Sequence, residues 1–464
     1  MRPLLSAAVA ILLAGCTPPP QSAVPSLPAD AVAWTQYGLG DSPGLIARAL
    51  VSRADNCPTV EWNGAAVTMR VRDPGRVEAF GKLCESRRPF TDALTVTVRL
   101  GGTVLLQQQV TSRPEHIAVM GDTGCRITYY ADQGCHDQKT WPFATVAQSV
   151  ANQRPDLILH LGDYYYREVP CLAASITCAP GPYGDREQTW RAEFFEPARP
   201  LLARAPWVFA RGNHEDCQRG GYGWAYYFGD EAAACDTTHK PAIIRLAGLT
   251  VVNFDTAQTG NAFLVGNMES YWYGLAQTIG TMRPTTPGQP IFLMSHEPGY
   301  FVCASATALQ TCSDSLISGI GNVRSLSDAA RKNGWRTILL SGHIHAFRSI
   351  DVVTQSGLPV SQVVVGTSGA NQNDDPTPPF LLPPQSVGAP FHDVRMAPQG
   401  DPKNPKTKWV PQDLGTVQMK VQGWTDFGFG MLSASSLQLT MFDALGRQKF
   451  TCALADETKA PRCR

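Results

Sequence analysis

Residues 157–166 read Leu157-Ile-Leu-His-Leu-Gly-Asp-Tyr-Tyr-Tyr166, and this stretch decides the fold. Four aliphatic residues around one histidine predict a short strand that is buried on both faces. The glycine at position 162 predicts a tight turn, and polar side chains begin directly after it at Asp163. A buried strand that runs into a polar loop is typical of α/β folds, in which functional side chains collect beyond the strand ends.

The same pattern occurs at four other places, where a short apolar run precedes a loop with carboxylate, carboxamide or imidazole groups. These are Ile117-Ala-Val-Met120 before Asp122, Trp207-Val-Phe-Ala210 before Asn213 and His214, Ile291-Phe-Leu-Met294 before His296, and Thr337-Ile-Leu-Leu340 before His343 and His345. Helical periodicity lies between the runs, over 143–150, 190–202 and 326–334. Strands alternating with helices predict an α/β core from residue 115 onward, which the strands of 427–454 complete. Residues 367–412 show no regular pattern and are predicted to be surface loops.

The loops supply the ligand types that a pair of catalytic metal ions requires. A phenolate and carboxylates favour a trivalent ion such as Fe(III), whereas imidazoles and a carboxamide favour Zn(II), Mn(II) or Fe(II). The candidate ligands are Asp122, Asp163, Tyr166, Asn213, His296, His343 and His345. The sequence therefore predicts a metal centre and an enzyme.

Five motifs carry a family resemblance: Gly-Asp-Thr-Gly at 121–124, Gly-Asp-x-x-Tyr at 162–166, Gly-Asn-His-Glu at 212–215, the histidine at 296 and Gly-His-Ile-His at 342–345. In order and spacing they resemble those of the calcineurin-like metallophosphoesterases. The tyrosine at 166 makes them similar to the purple acid phosphatase branch. The resemblance implies an α/β fold, a four-layer α/β/β/α metallophosphoesterase sandwich, as a catalytic domain over 115–464. It also implies a small all-β sandwich domain before it, over 31–114.

The resemblance further implies two metal ions that share Asp163. It assigns Asp122, Tyr166 and His345 to one ion and Asn213, His296 and His343 to the other, with Asp163 bridging the two. Two such metals lower the pKa of a water molecule and hold the phosphoryl oxygens, so that hydroxide is the nucleophile. The implied function is a dinuclear phosphoesterase that hydrolyses phosphate monoesters, as acid phosphatases do.

His214 and Asp163 are the catalytic residues that the resemblance implies. His214 is predicted to bond the phosphate or protonate the departing alkoxide, although it could instead only orient Asn213. Plant-type purple acid phosphatases carry further histidines soon after the fourth motif, whereas Glu-Pro-Gly-Tyr occupies 297–300 here. This departure leaves the identity of the acid open.

Two other functions stay open. The same site could serve a phosphodiesterase or nucleotide hydrolase, because the loops at 171–186, 220–240 and 371–412 contain no specificity motif. A non-catalytic lipoprotein that binds at the cell surface is less favoured, because every ligand position of the five motifs is filled.

Other polar residues receive structural interpretations. His160 is predicted to be a packed core histidine, and His116, His136, His239 and His392 to be surface or structural residues. Tyr164 is the alternative to Tyr166 as the phenolate ligand. Arg126, Arg167 and Glu168 could include a phosphate-binding arginine or form a salt bridge. The Gly366-Thr-Ser-Gly369 turn could line the site or simply turn.

The N-terminus predicts export. Arg2 and the short apolar run of 4–13 indicate a signal peptide over residues 1–15. Leu13-Ala-Gly-Cys16 resembles a bacterial lipobox, which implies lipidation of Cys16, with cleavage as an ordinary signal peptide as the alternative. Residues 16–30 are rich in Pro and Ser and predict a flexible tether. The expected location is the outer membrane, the periplasm or the cell surface.

Residues 31–114 contain short β-type runs at 46–51, 66–71 and 94–100, separated by turn residues. They predict the small β-sandwich without any ligand cluster, and therefore a packing or spacer role. No later segment is apolar for long enough to span a membrane.

Twelve of the thirteen cysteines remain after Cys16, and in an exported chain they are expected to form disulfides. Their order suggests local pairs, although other connectivities are compatible with the sequence. The suggested pairs are Cys57–Cys84, Cys125–Cys135, Cys171–Cys178, Cys217–Cys235, Cys303–Cys312 and Cys452–Cys463. A zinc-thiolate site is disfavoured because the chain has no Cys-x-x-Cys pair.

The formal net charge is zero, so the sequence carries no signature of nucleic-acid binding. The expected partners are a small phosphate-ester substrate and a membrane reached only through the lipid anchor. The length and the 43% hydrophobic content support a sizeable core.

Overall fold

The computed structural model describes residues 30–40, 44–90, 92–128, 132–171, 178–230, 235–236, 238–258, 265–299, 303–304, 309–310, 319–353, 359–371, 380–386, 391–402, 404, 407–454 and 462–464. The predicted signal peptide, Cys16, nearly all of the predicted tether and Cys312 lie outside these ranges.

The secondary-structure elements are numbered along the chain. The strands are β1 (Val32–Tyr37), β2 (Leu45–Val51), β3 (Thr59–Trp62), β4 (Ala65–Thr68), β5 (Arg70–Val71), β6 (Lys82–Arg88), β7 (Leu94–Leu100), β8 (Thr103–Val110), β9 (His116–Met120), β10 (Leu157–His160), β11 (Trp207–Phe209), β12 (Ala242–Leu246), β13 (Leu249–Asn253), β14 (Pro290–Met294), β15 (Cys303–Ala304), β16 (Leu309–Gln310), β17 (Arg336–Ser341), β18 (Phe347–Val353), β19 (Pro359–Val365), β20 (Phe380–Ser386), β21 (Phe391–Gln399), β22 (Lys408–Trp424), β23 (Gly428–Ser433), β24 (Gln438–Asp443), β25 (Gln448–Ala453) and β26 (Arg462–Cys463). The helices are α1 (Val77–Phe80), α2 (Phe143–Asn152), α3 (Glu187–Trp190), α4 (Glu196–Leu202), α5 (Gly221–Tyr227), α6 (Val265–Thr281) and α7 (Gly319–Lys332). A π-helical turn (Arg191–Phe195) joins α3 to α4, and short 3-10 turns occupy Pro74–Arg76 and Asn213–Glu215.

Two large sheets form the centre of the molecule. The first has eleven strands in the order β26-β25-β24-β23-β9-β10-β11-β1-β2-β6-β5 among the residues described. The second has the order β12-β13-β14-β17-β19-β18-β22-β20, with β21 paired to β22. The strands β9, β10 and β11 are parallel, and so are β13, β14, β17 and β19.

Side-chain alternation divides the core of the first sheet into two layers. In β9, Ile117 and Val119 belong to the apolar layer between the sheets. Ala118 and Met120 belong instead to the layer beneath α2 and the α3–α4 segment. This period of two is what a strand covered on both faces requires.

The second sheet is covered in the same way. Phe292 and Met294 of β14 join the central layer, whereas Ile291 and Leu293 face the helices α6 and α7. The layers are therefore helix, sheet, sheet and helix. This confirms the predicted four-layer α/β/β/α sandwich.

The N-terminal region is two-layered and built mainly of strands, with the 3-10 turn Pro74–Arg76 and the short helix α1 between β5 and β6, so the all-β prediction was not fully met. One of its two layers is continuous with the first large sheet. Strand β1 pairs in parallel with β11 through Gln36 and Trp207, and β2, β6 and β5 follow it outward. The other layer is a separate sheet of β4, β3, β7 and β8. Hydrophobic alternation predicts which face of a strand is buried but not which strand it pairs with, so the sequence did not predict this continuity. The domain boundaries themselves remain predictions.

The interpretation of 367–412 as surface loops was wrong in part. Strands β20, β21 and β22 lie there, and β22 pairs with β18 along its length from Phe347 to Val353. Proline is tolerated in β20 and β21 because each has β22 as its one strand partner among the described residues, so that a missing N–H can face away from the ladder. The strands predicted over 427–454 are confirmed, and β23 pairs with β9.

Five of the six suggested disulfides are present: Cys57–Cys84, Cys125–Cys135, Cys171–Cys178, Cys217–Cys235 and Cys452–Cys463. The sixth, Cys303–Cys312, falls outside the described residues. None of the helices that the structure describes is both long and apolar enough for a membrane span.

Candidate metal centre

The five motif loops meet at one end of the two sheets. Because β9, β10 and β11 are parallel, as are β14 and β17, their loops leave each sheet at the same edge. Hydrogen bonds then join loops from opposite sheets. The Nδ1 atom of His296 lies 2.9 Å from the carbonyl oxygen of Leu161, and the backbone N–H of His343 donates to both carboxylate oxygens of Asp122.

Two clusters of ligand atoms lie side by side and share Asp163. One contains Asp122, Asp163 and His345, the other Asp163, His296 and His343, and within each the candidate ligand atoms lie within 4.8 Å of one another. Tyr166 joins the first cluster and Asn213 the second, as the next distances show. We call the two sets the Tyr166 group and the Asn213 group.

The Tyr166 group is centred on the phenol oxygen. The Oη atom of Tyr166 lies 2.8 Å from Oδ2 of Asp163 and 2.8 Å from Nε2 of His345. It lies 3.3 Å from Oδ1 of Asp122. Tyr164 is directed elsewhere, since its hydroxyl donates to the backbone carbonyl of Ala210. The structure therefore favours Tyr166 over Tyr164 as the phenolate candidate.

The Asn213 group is centred on an amide oxygen. The Oδ1 atom of Asn213 lies 2.9 Å from Nε2 of His296 and 3.0 Å from Nδ1 of His343. These two nitrogens are 3.2 Å apart, and Nε2 of His296 is also 3.2 Å from Oδ2 of Asp163. The structure thus brings together all seven candidate ligands of the sequence.

Backbone carbonyls orient two of the imidazoles. Nδ1 of His296 faces the carbonyl of Leu161, and Nδ1 of His345 lies 2.7 Å from the carbonyl of Asn371. A carbonyl accepts only an N–H, so Nε2 is the nitrogen that each ring presents to the centre. Asn371 follows the Gly366–Gly369 turn, and Ala370 donates to the backbone carbonyl of Asp122. That turn lines the site.

The donor set fits a pair of cations. Asp122 and Asp163 are 0% and 1% exposed, and buried carboxylates this close need compensating positive charge. Their oxygens, a phenol, an amide oxygen and three imidazole nitrogens are the donors that trivalent iron and divalent zinc, manganese or iron accept. The Tyr166 group and the Asn213 group therefore each contain all the ligands predicted for one metal ion.

The backbone is held in unfavourable conformations at three candidate ligands. Asp122 and Asp163 both have φ of 57°, and His343 has φ of 71°. Such left-handed residues persist only where the surrounding structure enforces them, and they concentrate at functional sites. Gly162, which precedes Asp163, has φ of 100°. A Cβ atom there would lie 2.6 Å from Nδ1 of His296, so only glycine fits at this position.

Burial and charge shift the protonation equilibria of the centre. Burial acts to lower the pKa of His296, but the carboxylates of Asp163 and Asp122 outweigh it and raise the pKa to about 10. Burial, together with Asp163 and Asp122, holds the pKa of Tyr166 well above its usual value. Burial and the charge of His296 lower the pKa of His343 to about 3.

Metal uptake at neutral pH should therefore release protons. Without metal, His296 and Tyr166 both retain a proton at pH 7, because their pKa values are raised, and a cation must displace both. We expect the affinity for Zn²⁺ to rise with pH by about tenfold per unit for each proton released. Calorimetry in two buffers of different ionisation enthalpy measures the number of protons released per metal ion bound. Tyr166→Phe should release one proton fewer, and affinity independent of pH would contradict the assignment.

His214 forms a pair with a carboxylate whose role the sequence left open. Its Nδ1 atom lies 2.6 Å from Oε1 of Glu168, and its ring packs on that of Tyr166 with centroids 4.1 Å apart. Nη1 of Arg219 lies 3.5 Å from the same Glu168 oxygen. The His214 backbone N–H donates to Asp163. Glu168 thus orients His214 at the partly exposed rim of the site.

Glu215 is a buried residue that the sequence analysis missed. Its Oε1 accepts the backbone N–H groups of Tyr164 and Tyr165, and its Oε2 those of Gly212 and Asp163. Burial, reinforced by Asp163, raises its pKa to about 8. Glu215 accepts the N–H of Gly212, three residues before it, which is the half of a capping box that a glycine allows, and this spacing was the available signal.

Arg167 does not act at the centre. It forms a buried ion pair with Glu193, with Nε and Oε1 2.6 Å apart, so of the two interpretations the structure shows the salt bridge. His160 is fully buried and stacks on Tyr164, as predicted for a core histidine. His239 is buried against Trp224, whereas His116 is exposed. The side chain of His392 lies outside the described part of the chain.

Comparison with known proteins gives a family and a fold. Residues 115–347, about half of the chain, match the model of the calcineurin-like phosphoesterase family. The purple acid phosphatase PPD1 from seeds of yellow lupin (Lupinus luteus) is similar in structure, with a TM-score of 0.52 and 12% identity over 91% of this chain and 73% of that one. PhoD is also similar, with a TM-score of 0.53 and 11% identity over 93% and 91%. No curated protein matches the sequence significantly.

Proposed function

The chain belongs to the calcineurin-like phosphoesterase family, and from that premise we propose that it is a dinuclear phosphatase acting on phosphate monoesters. One observation carries the proposal. Asp163 is common to two clusters of metal-type ligands, and each cluster is completed by a further oxygen donor, Tyr166 or Asn213. This is the arrangement that two-metal hydrolysis needs.

The Tyr166 group would hold Fe(III) and the Asn213 group Zn(II), Mn(II) or Fe(II), with Asp163 between them. When bound, such a metal pair lowers the pKa of a water molecule and neutralises charge on the phosphoryl oxygens. The side chains and backbone of the protein hold the ligands in place. The N–H of His343 and the phenol of Tyr166 hold the two carboxylates in fixed orientations.

His214 is proposed as the acid that protonates the leaving group. Glu168 at 2.6 Å binds Nδ1, which keeps a proton on that nitrogen and directs Nε2 away from the carboxylate. The imidazole side chain is 22% exposed, so a substrate can reach it.

The proposal is tested by metal analysis and hydrolysis on one preparation. Protein purified without chelator should contain two metal ions per chain and hydrolyse p-nitrophenyl phosphate. A visible charge-transfer band should report a bond between Tyr166 and Fe(III); full activity without the band would favour a Zn or Mn pair. Faster hydrolysis of a bis(p-nitrophenyl) diester would replace the monoesterase assignment with a phosphodiesterase. Absence of metal and of both activities would leave the non-catalytic alternative.

The role of His214 predicts a dependence on the leaving group. His214→Ala and Glu168→Gln should lower kcat by about 100-fold or more for an alkyl phosphate, because the alkoxide must be protonated as it departs. For p-nitrophenyl phosphate, whose leaving group is stable as an anion, the loss should be at most about tenfold. Glu61→Gln is the matched control, because Glu61 is a partly exposed carboxylate that pairs with Arg99. Equal losses on both substrates would show that His214 only orients Asn213.

We also propose that the chain is exported and anchored through a lipid on Cys16. The five disulfides support an oxidising compartment. Cys16→Ser should move the protein from the membrane to the soluble fraction of cells. Unchanged membrane association of that variant would remove the anchor from the proposal.

A further inference from the structure

A carboxylate outside the five motifs lies beneath the Tyr166 group. Glu193 belongs to the π-helical turn Arg191–Phe195, between α3 and α4, and its side chain is 0% exposed. Its neighbours in the chain, Phe194 and Phe195, are buried in the apolar core. A buried carboxylate is costly unless it is fully bonded, and π-turns occur preferentially at functional sites.

The Glu193 carboxylate binds both loops that carry the oxygen ligands. Its Oε2 accepts the backbone N–H of Cys125 at 2.8 Å, three residues after Asp122. The backbone N–H of Tyr166 also donates to it. Its Oε1 accepts Nε of Arg167 at 2.6 Å. One side chain therefore ties the end of the Asp122 loop to the backbone of the phenol ligand.

Packing makes this tie close. A Cβ atom at Gly124 would lie 2.5 Å from Oε2 of Glu193 and 2.6 Å from Cδ2 of Tyr166, so the glycine leaves room for both groups. Arg167 is 3% exposed, and its guanidinium lies 5.4 Å from the ring centroid of Trp141. The Cys125–Cys135 disulfide anchors the same loop. The Tyr166 ring is thus held in place on the side that faces Gly124 and Glu193.

We propose that Glu193 is a positioning residue for the Tyr166 group, which holds the phenol oxygen between Asp122 and Asp163 for metal binding. The inference rests on the proposed function, because it assumes metal at this group. Glu193 touches neither substrate nor metal and acts through the backbone of Tyr166 and Cys125. Substitution of Glu193 should therefore lower the metal affinity and the fraction of Tyr166 that is deprotonated when metal binds, in addition to any effect on folding.

Two variants separate position from charge. Glu193→Asp keeps the negative charge near Arg167 but draws the carboxylate back by about 1.5 Å, the length of one C–C bond. The pair Glu193→Gln with Arg167→Met removes both buried charges together, so that neither is left without its partner. Asp185→Asn is the matched control. Asp185 is a partly buried carboxylate just before α3, and it accepts hydrogen bonds from Trp190 and Gly223 instead.

The experiment is a Zn²⁺ titration of chelator-treated full-length protein, followed by calorimetry and by the ultraviolet difference signal of tyrosinate. Both Glu193 variants should bind the ion that produces the tyrosinate signal about 10- to 100-fold less tightly, as is usual for residues behind a ligand, and the signal itself should be smaller. Asp185→Asn should match the wild type in both measurements.

The outcomes are distinct. Wild-type protein that binds no metal would refute the proposed function and this inference with it. Wild-type binding with unchanged affinity and signal in the Glu193 variants would overturn the inference alone. If neither variant folds while Asp185→Asn does, Glu193 serves the fold as a whole, and its assignment to the metal centre fails.

Discussion

We expect Asp163→Asn to fold normally and to lose hydrolysis by at least about 1,000-fold in kcat, the upper end of what losing one electrostatic group costs. The reason is that both ligand groups depend on this one carboxylate. It lies 2.8 Å from the phenol of Tyr166 and 3.2 Å from Nε2 of His296. An amide supplies one oxygen and no charge, so at most one group can remain complete.

The fold should tolerate this change because an amide has the same shape as the carboxylate and keeps an oxygen that can accept the backbone N–H of His214. Metal content should fall together with activity, and circular dichroism should match the wild type. Asp443→Asn provides the control, since Asp443 is also buried but pairs with Arg447 at a distant turn. Near-normal turnover by the Asp163 variant would exclude a bridging carboxylate.

Glu215→Ala should produce the largest loss of stability. Four backbone N–H groups, those of Gly212, Asp163, Tyr164 and Tyr165, lose their acceptor inside the protein. An unsatisfied buried donor costs about 1–3 kcal/mol, so the free energy of unfolding should fall by about 4 kcal/mol or more. Since Asp163 is among the four, activity should fall as well.

A graded series tests this explanation. Glu215→Gln retains one acceptor oxygen, which can still serve Tyr164 and Tyr165, so its loss of stability should be about half that of Glu215→Ala. Urea unfolding of metal-free protein measures both. Glu115→Ala removes a half-buried glutamate that accepts from Ser433 and Ser435 near the surface and should cost much less stability. If Glu215→Ala were no worse than this control, the buried donors would have found other partners.

The parts of the fold that could be predicted are those in which local sequence and burial agree. An apolar run followed by a loop with a candidate ligand predicted β9, β10, β11, β14 and β17, because strands that are buried on both faces consist almost entirely of apolar residues. The parallel arrangement then placed all seven candidate ligands at one edge. Five disulfides followed from cysteine order, since each closes a short loop.

The parts that could not be predicted depend on contacts between distant segments. The pairing of β1 with β11 joins Gln36 to Trp207, which lie far apart in the chain, and nothing local specifies that neighbour. Strands β20 to β22 lack alternation in their sequence, and their places in the sheet follow from backbone pairing with distant strands such as β18. Glu168 and Glu193 are also ordinary charged residues in sequence, and only the folded loops place their carboxylates against His214 and the backbone of Tyr166.

The continuity of the first sheet sets a minimum size for an active fragment. A protein trimmed to residues 115–347 would keep every candidate ligand and yet lose β1 beside β11 and β23 beside β9. Both flanks of the three ligand-bearing strands would then present unpaired backbone groups, which recruit other chains. Such a fragment should precipitate or form fibres, so efforts to isolate the catalytic part must retain the segments on both sides of it.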